Sequence, residues 1–191
     1  EGDTTGIQIR LTDITDPSPT DVTAGLNYMY DFGDGFIPGT AVQDVPAEWL
    51  ANSGEYEIRA RVVDRDDGIS EYSATLTVNN SIAEVNSLTV TPDQVKLNES
   101  VSLNGTFSAD KGVNDKHTVR IDWGDGTFDF FAGQSSNFDV ATRSFNAMHT
   151  YTAVPMGTNS DAYQIVVTIT DNDGGASTAS RTVDFDSSVS T

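Results

Sequence analysis

The chain has no cysteine, so neither a disulfide nor thiol chemistry is open to it. Only 10 of its 191 residues are Lys or Arg, against 29 Asp and Glu, for a formal charge of −19. A field of that sign repels phosphate backbones and anionic membrane surfaces, which argues against nucleic acid and lipid partners. No apolar run approaches the roughly 18 residues that a membrane span requires. No stretch of a dozen residues carries a helical period; "AEWLANSG" (47–54) offers one turn at most. The two histidines, His117 and His149, fall in different loops and make a poor zinc set. Nothing like G-x-S-x-G presents a nucleophile, no catalytic residue is assigned, and the chain reads as a non-enzyme. It begins at Glu1-Gly2-Asp3, without Met or an apolar leader, and ends in "DSSVST". Such ends fit a processed product or a piece of something longer.

What is present is enough for a core: 37% apolar residues with 20% charged. Of the acidic residues 22 are Asp and 7 are Glu. Asp bonds nearby backbone in turns, whereas Glu suits helices, so this excess predicts strands joined by acidic turns.

The chain also repeats itself. Phe32-Gly33-Asp34-Gly35 matches Trp123-Gly124-Asp125-Gly126, and Ile7-x-Ile9-x-Leu11 matches Val101-x-Leu103-x-Gly105. "YEIRARVVDRDDGIS" (56–70) matches "YQIVVTITDNDGGAS" (163–177). Three blocks in one order, with length differences between them, mark a duplicated domain with altered loops. Tyr56, Ile58, Ala60 and Val62 alternate, as do Tyr163, Ile165, Val167 and Ile169, which predicts antiparallel strands with one buried face. The fold class is therefore all-β: two immunoglobulin-like antiparallel β-sandwiches in tandem, seven strands each. The expected boundaries are 1–80 and 81–187, with an insertion around 127–162 in the second copy.

"YDFGDG" (30–35) and "IDWGDG" (121–126) resemble the W-D-F-G-D-G signature of PKD domains, named after the polycystic kidney disease protein. "HTY" (149–151), the "YQIVVTITDNDGGAS" stretch and "VNN" (78–80) resemble the rest of that family's pattern. Tyr30 and Ile121 stand where the family's tryptophan usually does, Ala47 replaces the histidine in copy one, and "AVPMGTNSDA" (153–162) interrupts copy two. The resemblance implies Ig-like sandwiches outside cells that act as spacers and as adhesion or carbohydrate-contact modules.

The GDG stretches read as scaffold. Tyr28, Tyr30 and Phe32 share a face, as do Val119, Ile121 and Trp123, which places Trp123 in the core. Gly33, Gly35, Gly124 and Gly126 supply backbone freedom for a sharp exit, and Asp34 and Asp125 belong to the turns. Asp31 and Asp122 point away from the core. A phosphate loop, a glycosidase carboxylate pair and an EF-hand each lack their required spacing.

The loops "TDPSPTD" (15–21) and "DRDDG" (64–68) should meet at one end of copy one, gathering Asp16, Asp21, Asp64, Asp66 and Asp67. "SADKGVND" (108–115) and "DNDGG" (171–175) should do the same in copy two with Asp110, Asp115, Asp171 and Asp173, beside Asn79, Asn80 and Glu84. Two readings stay open. Converging carboxylates and Asn oxygens suit Ca²⁺, with Asp16, Asp64, Asp66, Asn80, Asp110, Asp171 and Asp173 as ligands, and a bound ion would stiffen the tandem. The same residues also suit solvated turns. The insertion carries Phe128, Phe130, Phe131, Phe138 and Phe145, which could pack as strands or form an exposed aromatic strip.

The sequence thus predicts a non-catalytic extracellular or cell-surface module for spacing and protein–protein contact, with Ca²⁺ as its one expected cofactor. Its partners would be other domains of a larger surface protein or neighbouring copies, with polysaccharide as a further candidate. Two alternatives remain: a carbohydrate-binding accessory of a secreted hydrolase, and a subunit of a surface layer or filament.

Overall fold

The computed structural model describes residues 2, 6–15, 17–18, 20, 23, 25–108, 115–155 and 161–188. Described residues up to Asn80 form one compact unit, and those from Ser81 onward form a second.

The first unit contains β1 (Gln8–Arg10), β2 (Asn27–Asp31), β3 (Phe36–Gly39), β4 (Val42–Asp44), α1 (Ala47–Leu50), β5 (Gly54–Val63) and β6 (Ile69–Val78). Four strands make one antiparallel sheet in the order β3-β2-β5-β6, while β1 and β4 pair separately. Period-two patterning buries Ile58, Ala60 and Val62 on one face of β5 and sets Tyr30 beside Ala60. The helix is a single turn, entered from Pro46, with Leu50 buried beneath it.

The second unit contains β7 (Val85–Thr91), β8 (Gln94–Val95), β9 (Ser100–Phe107), β10 (Thr118–Asp122), β11 (Phe128–Ala132), β12 (Phe138–Asp139), β13 (Ser144–Thr150), β14 (Ala162–Thr170) and β15 (Ala176–Phe185). Its sheets run β12-β13-β9-β7 and β11-β10-β14-β15-β8, antiparallel throughout except for the β8–β15 pair. The first strand is split, β7 joining one sheet and β8 the other, which is an immunoglobulin-like order. Between the sheets lie Val101, Leu103, Val119, Ile121, Trp123, Phe145, Tyr163, Ile165, Val167, Ile169 and Val183, all essentially inaccessible. Each such side chain contributes about 1.5–3 kcal/mol of burial.

The fold is all-β and immunoglobulin-like, but the copies are unequal. Seven strands were expected in each; among the described residues the first unit lacks counterparts of β7 and β8. Its buried apolar set is Tyr30, Val45, Leu50, Ile58, Ala60, Val62 and Val78, well short of the second unit's. No helix of the described residues is long and apolar enough to cross a membrane.

Candidate functional site

In the second unit the GDG turn is the end of an aromatic stack. Trp123 lies flat on His149, with ring centres 4.7 Å apart. His149 meets Tyr151 edge-on at 4.8 Å, and Tyr151 stacks on Tyr163 at 3.6 Å. Each polar tip is satisfied, as buried tips must be. Trp123 Nε1 donates to Asp129 at 3.0 Å, Tyr151 Oη to the Trp123 carbonyl at 3.1 Å, and Tyr163 Oη to the Ala153 carbonyl at 2.6 Å. Burial, with the charge of Asp125 nearby, raises the Tyr151 and Tyr163 phenols above their ordinary range.

Asp125 ties the turn to this stack. It accepts from the Thr127 N–H at 3.0 Å, the Thr127 hydroxyl at 2.6 Å and His149 Nε2–H at 2.8 Å. Burial pushes its carboxyl upward, but the bonds from Thr127 and His149 outweigh that and leave it below the usual aspartate value. Gly124 sits at φ +83°, and a Cβ there would lie 2.7 Å from the Gln164 carbonyl oxygen. The turn therefore needs glycine twice over, for its left-handed backbone and for close approach to β14. Gly126, at φ +91°, completes the exit.

The first unit solves the same turn differently. Asp31 faces away from the core, yet it is 2% exposed rather than open to solvent. It accepts from the Gly33 and Gly35 N–H groups at 2.8 and 2.9 Å and pairs with Arg59. Those two amides, with Arg59 adding to them, hold its carboxyl below the usual range. The cross-strand neighbour decides this. Arg59 stands opposite Asp31, whereas Val166 stands opposite Asp122, which turns instead to Arg120 at 2.6 Å. Asp34, the counterpart of Asp125, is exposed.

The turns after β5 and β14 also repeat. Asp64 Oδ1 accepts from the N–H groups of Asp66 and Gly68 at 2.9 and 2.7 Å. Asp171 Oδ1 accepts from those of Asp173 and Gly175 at 2.9 and 2.8 Å. In both, the aspartate N–H also donates to the glycine carbonyl at 3.0 Å. Of the carboxylates expected as Ca²⁺ ligands, Asp64 and Asp171 thus hold their own turns. Asp66 and Asp173 are exposed, and half-buried Asn80 lies beyond the end of β6. Asp16, Asp21 and Asp110 lie outside the described residues. The incoming loop does meet the turn, since the Lys116 N–H donates to Asn172 Oδ1 at 2.6 Å. Among the described residues no three Asp, Glu or His side chains gather into a metal set.

The insertion's phenylalanines divide by strand parity. Phe138 and Phe145 are buried, and Phe131 is half-buried. Phe128 and Phe130 point outward from β11, 57% and 58% exposed, with the Arg120 guanidinium 4.3 Å above the Phe128 ring. β11 is an edge strand, so this pair and Arg120 form an open aromatic and cationic patch beside Asp122. Sequence alone could not assign these roles, because Phe130 and Phe131 are adjacent and register decides which faces water.

No family model and no curated protein matches the chain. Solved structures do resemble it distantly. A Pseudomonas fluorescens alkylpurine DNA glycosylase, AlkC, bound to DNA is similar at 16% identity over 55% of this chain and 30% of its own (TM-score 0.35). The Bacteroides ovatus mixed-linkage glucan utilization locus protein SGBP-B, in complex with a heptasaccharide, is similar at 15% identity over 96% and 41% (TM-score 0.31). PcdhgB3 EC1-4 is similar at 12% identity over 85% and 41% (TM-score 0.37). The chain spans less than half the length of each. Its own strand order, not a match, places it among all-β, immunoglobulin-like antiparallel folds.

Proposed function

We propose that the chain is a tandem of PKD-type domains serving as a non-catalytic contact module of an extracellular surface protein. One observation carries this reading: Asp31, Asp64, Asp125, Asp171 and His149 are bonded into turns or the aromatic stack, while an aromatic patch on a sheet face is left for contact. Asp31, Asp64, Asp125 and Asp171 each accept two or more hydrogen bonds from their own turns or the adjoining stack. Partners would be neighbouring domains of the parent protein or adjacent copies. The test is adhesion of beads coated with the chain, to one another and to polysaccharide-coated surfaces. Adhesion lost in a Phe128→Ser, Phe130→Ser variant that melts normally supports the reading. Turnover of glycoside or peptide substrates that tracks the purified chain would refute it.

The exposed Phe128 and Phe130 favour a second reading, contact with carbohydrate, because flat exposed rings with a charged neighbour suit sugar faces. Affinity electrophoresis through soluble β-glucans separates the two. Retardation that disappears in the double variant selects carbohydrate; unretarded migration together with bead adhesion selects protein contact.

A further inference from the structure

The duplicated hairpin is its own control. β5–β6 and β14–β15 share one register, with Val63 opposite Ile69 and Thr170 opposite Ala176. In the second unit the last strand is closed on two sides. Along its edge, the N–H groups of Asp184 and Asp186 donate to the carbonyls of Asp93 and Val95 at 2.8 and 2.9 Å, with β8 running parallel. Over its inner face passes the segment leading into and along β7. Ser177 Oγ donates to the Ala83 carbonyl at 2.7 Å, Arg181 Nε donates to the Leu88 carbonyl at 2.9 Å, and Val183 is fully buried.

By that register Ser70, Ala74, Leu76 and Thr77 stand where Ser177, Arg181, Val183 and Asp184 do. Nothing among the described residues pairs with the outer edge of β6. Ser70, Tyr72 and Ala74 point inward, opposite the buried Val62, Ala60 and Ile58, yet all three are exposed, Tyr72 by 45%. A cavity of about 260 Å³ opens beside Ser70, lined by Ile14, Leu26, Val62 and Tyr72 together with Thr15 and the Asp64 carboxylate. It opens beside the serine whose counterpart holds Ala83 in the second unit.

Among the described residues the edge itself is unguarded. β3, at the far side of the same sheet, is four residues long and carries Pro38. β6 is ten residues long, has no proline or lysine, and its one charge, Glu71, is paired with Arg61 at 2.8 Å. Natural sheets blunt such edges or cover them.

We infer that the first unit takes up an extended strand from another polypeptide segment, parallel to β6, with alternate apolar side chains laid over Tyr72, Ala74 and Leu76. The strand begins at the Ser70 cavity and runs toward Val78, as the β7–β8 segment runs along β15. The occupant carries no net negative charge, since the field of a chain at −19 favours a neutral or basic strand over an acidic one. This inference rests on the hairpin comparison and stands apart from the contact reading above.

The chain supplies its own probe. A synthetic peptide with the sequence of residues 85–97 is neutral overall and carries β7 and β8. With that peptide in excess, amide hydrogen exchange at Thr77, the counterpart of Asp184, should slow at least about tenfold while β5 is unchanged. A second variant replaces residues 1–6 by a copy of residues 83–100 and should show the same protection, lost when Leu88→Asp and Val90→Asp are made in the copy. Parental exchange rates at β6 in both experiments would overturn the inference. So would concentration-dependent protection in the parent chain alone, which would make a second copy the occupant.

Discussion

Replacing Asp125 by Ala tests whether the GDG turn is a hinge of the second unit's core or an ornament at its edge. The substitution removes three acceptor contacts, two to Thr127 and one to His149. Thr127 is exposed, so its groups turn to water and each lost bond costs about 0.5–1 kcal/mol. His149 is held between Trp123 and Tyr151 with a side chain 16% exposed, so its Nε2–H loses a partner it cannot easily replace. That loss costs about 1–3 kcal/mol. Together the change should destabilise the unit by about 2–5 kcal/mol, roughly 10–25 °C in a domain of this size. Differential scanning calorimetry at neutral pH measures it, with Asp34→Ala as the control. Asp34 is the exposed counterpart, and its loss should stay within about 0.5 kcal/mol. The pH dependence has a definite sign. Asp125 is held below the ordinary aspartate value, so its contribution is complete above about pH 4 and is lost as pH falls through the lowered value. The gap between parent and variant should therefore close in acid. A deficit under about 1 kcal/mol at neutral pH, or an equal loss for Asp34→Ala, would mean that ring packing alone holds the stack.

Other expectations follow from the same contacts. Gly33→Ala meets nothing within 4 Å and should cost only the left-handed strain, about 1–2 kcal/mol, whereas Gly124→Ala adds a clash with the β14 backbone and should cost visibly more in a urea titration. Melting in millimolar Ca²⁺ and in EDTA should agree within about a degree, because Asp64 and Asp171 already serve their turns; a Ca²⁺-specific rise of several degrees, with Mg²⁺ silent, would bring Asp16 and Asp110 in as ligands. Amide exchange should be faster across β5 than across β14, since the first unit buries far fewer apolar side chains.

Strand positions were legible because alternation survives any detail of packing: the apolar positions of β5 and β14 are written in "YEIRARVV" and "YQIVVTIT". The single turn of α1 was legible for the converse reason, that nothing sustains it. Asp31 was not. Its burial depends on Arg59, 28 positions away in sequence and adjacent only once β2 and β5 align. The acidic turns were ambiguous at root, because aspartates spaced for backbone amides are also spaced for a hard cation, and the same oxygens serve either. The inequality of the copies was hidden by their similarity. Matching hairpins say nothing about whether a further strand covers them.

The two tryptophans divide between the units, and their surroundings differ. Trp123 is buried, flat on an imidazole, with its indole N–H given to a carboxylate. Trp49 is half-exposed and stacked on Tyr56 at 4.8 Å. The molecule thus carries one tryptophan fluorophore per unit, the buried one emitting to the blue of the other. Trp49→Phe leaves a chain whose emission reports on the second unit alone, and Trp123→Phe leaves one that reports on the first. Unlabelled protein in a single cuvette can then show which half responds to a ligand, a salt or a denaturant.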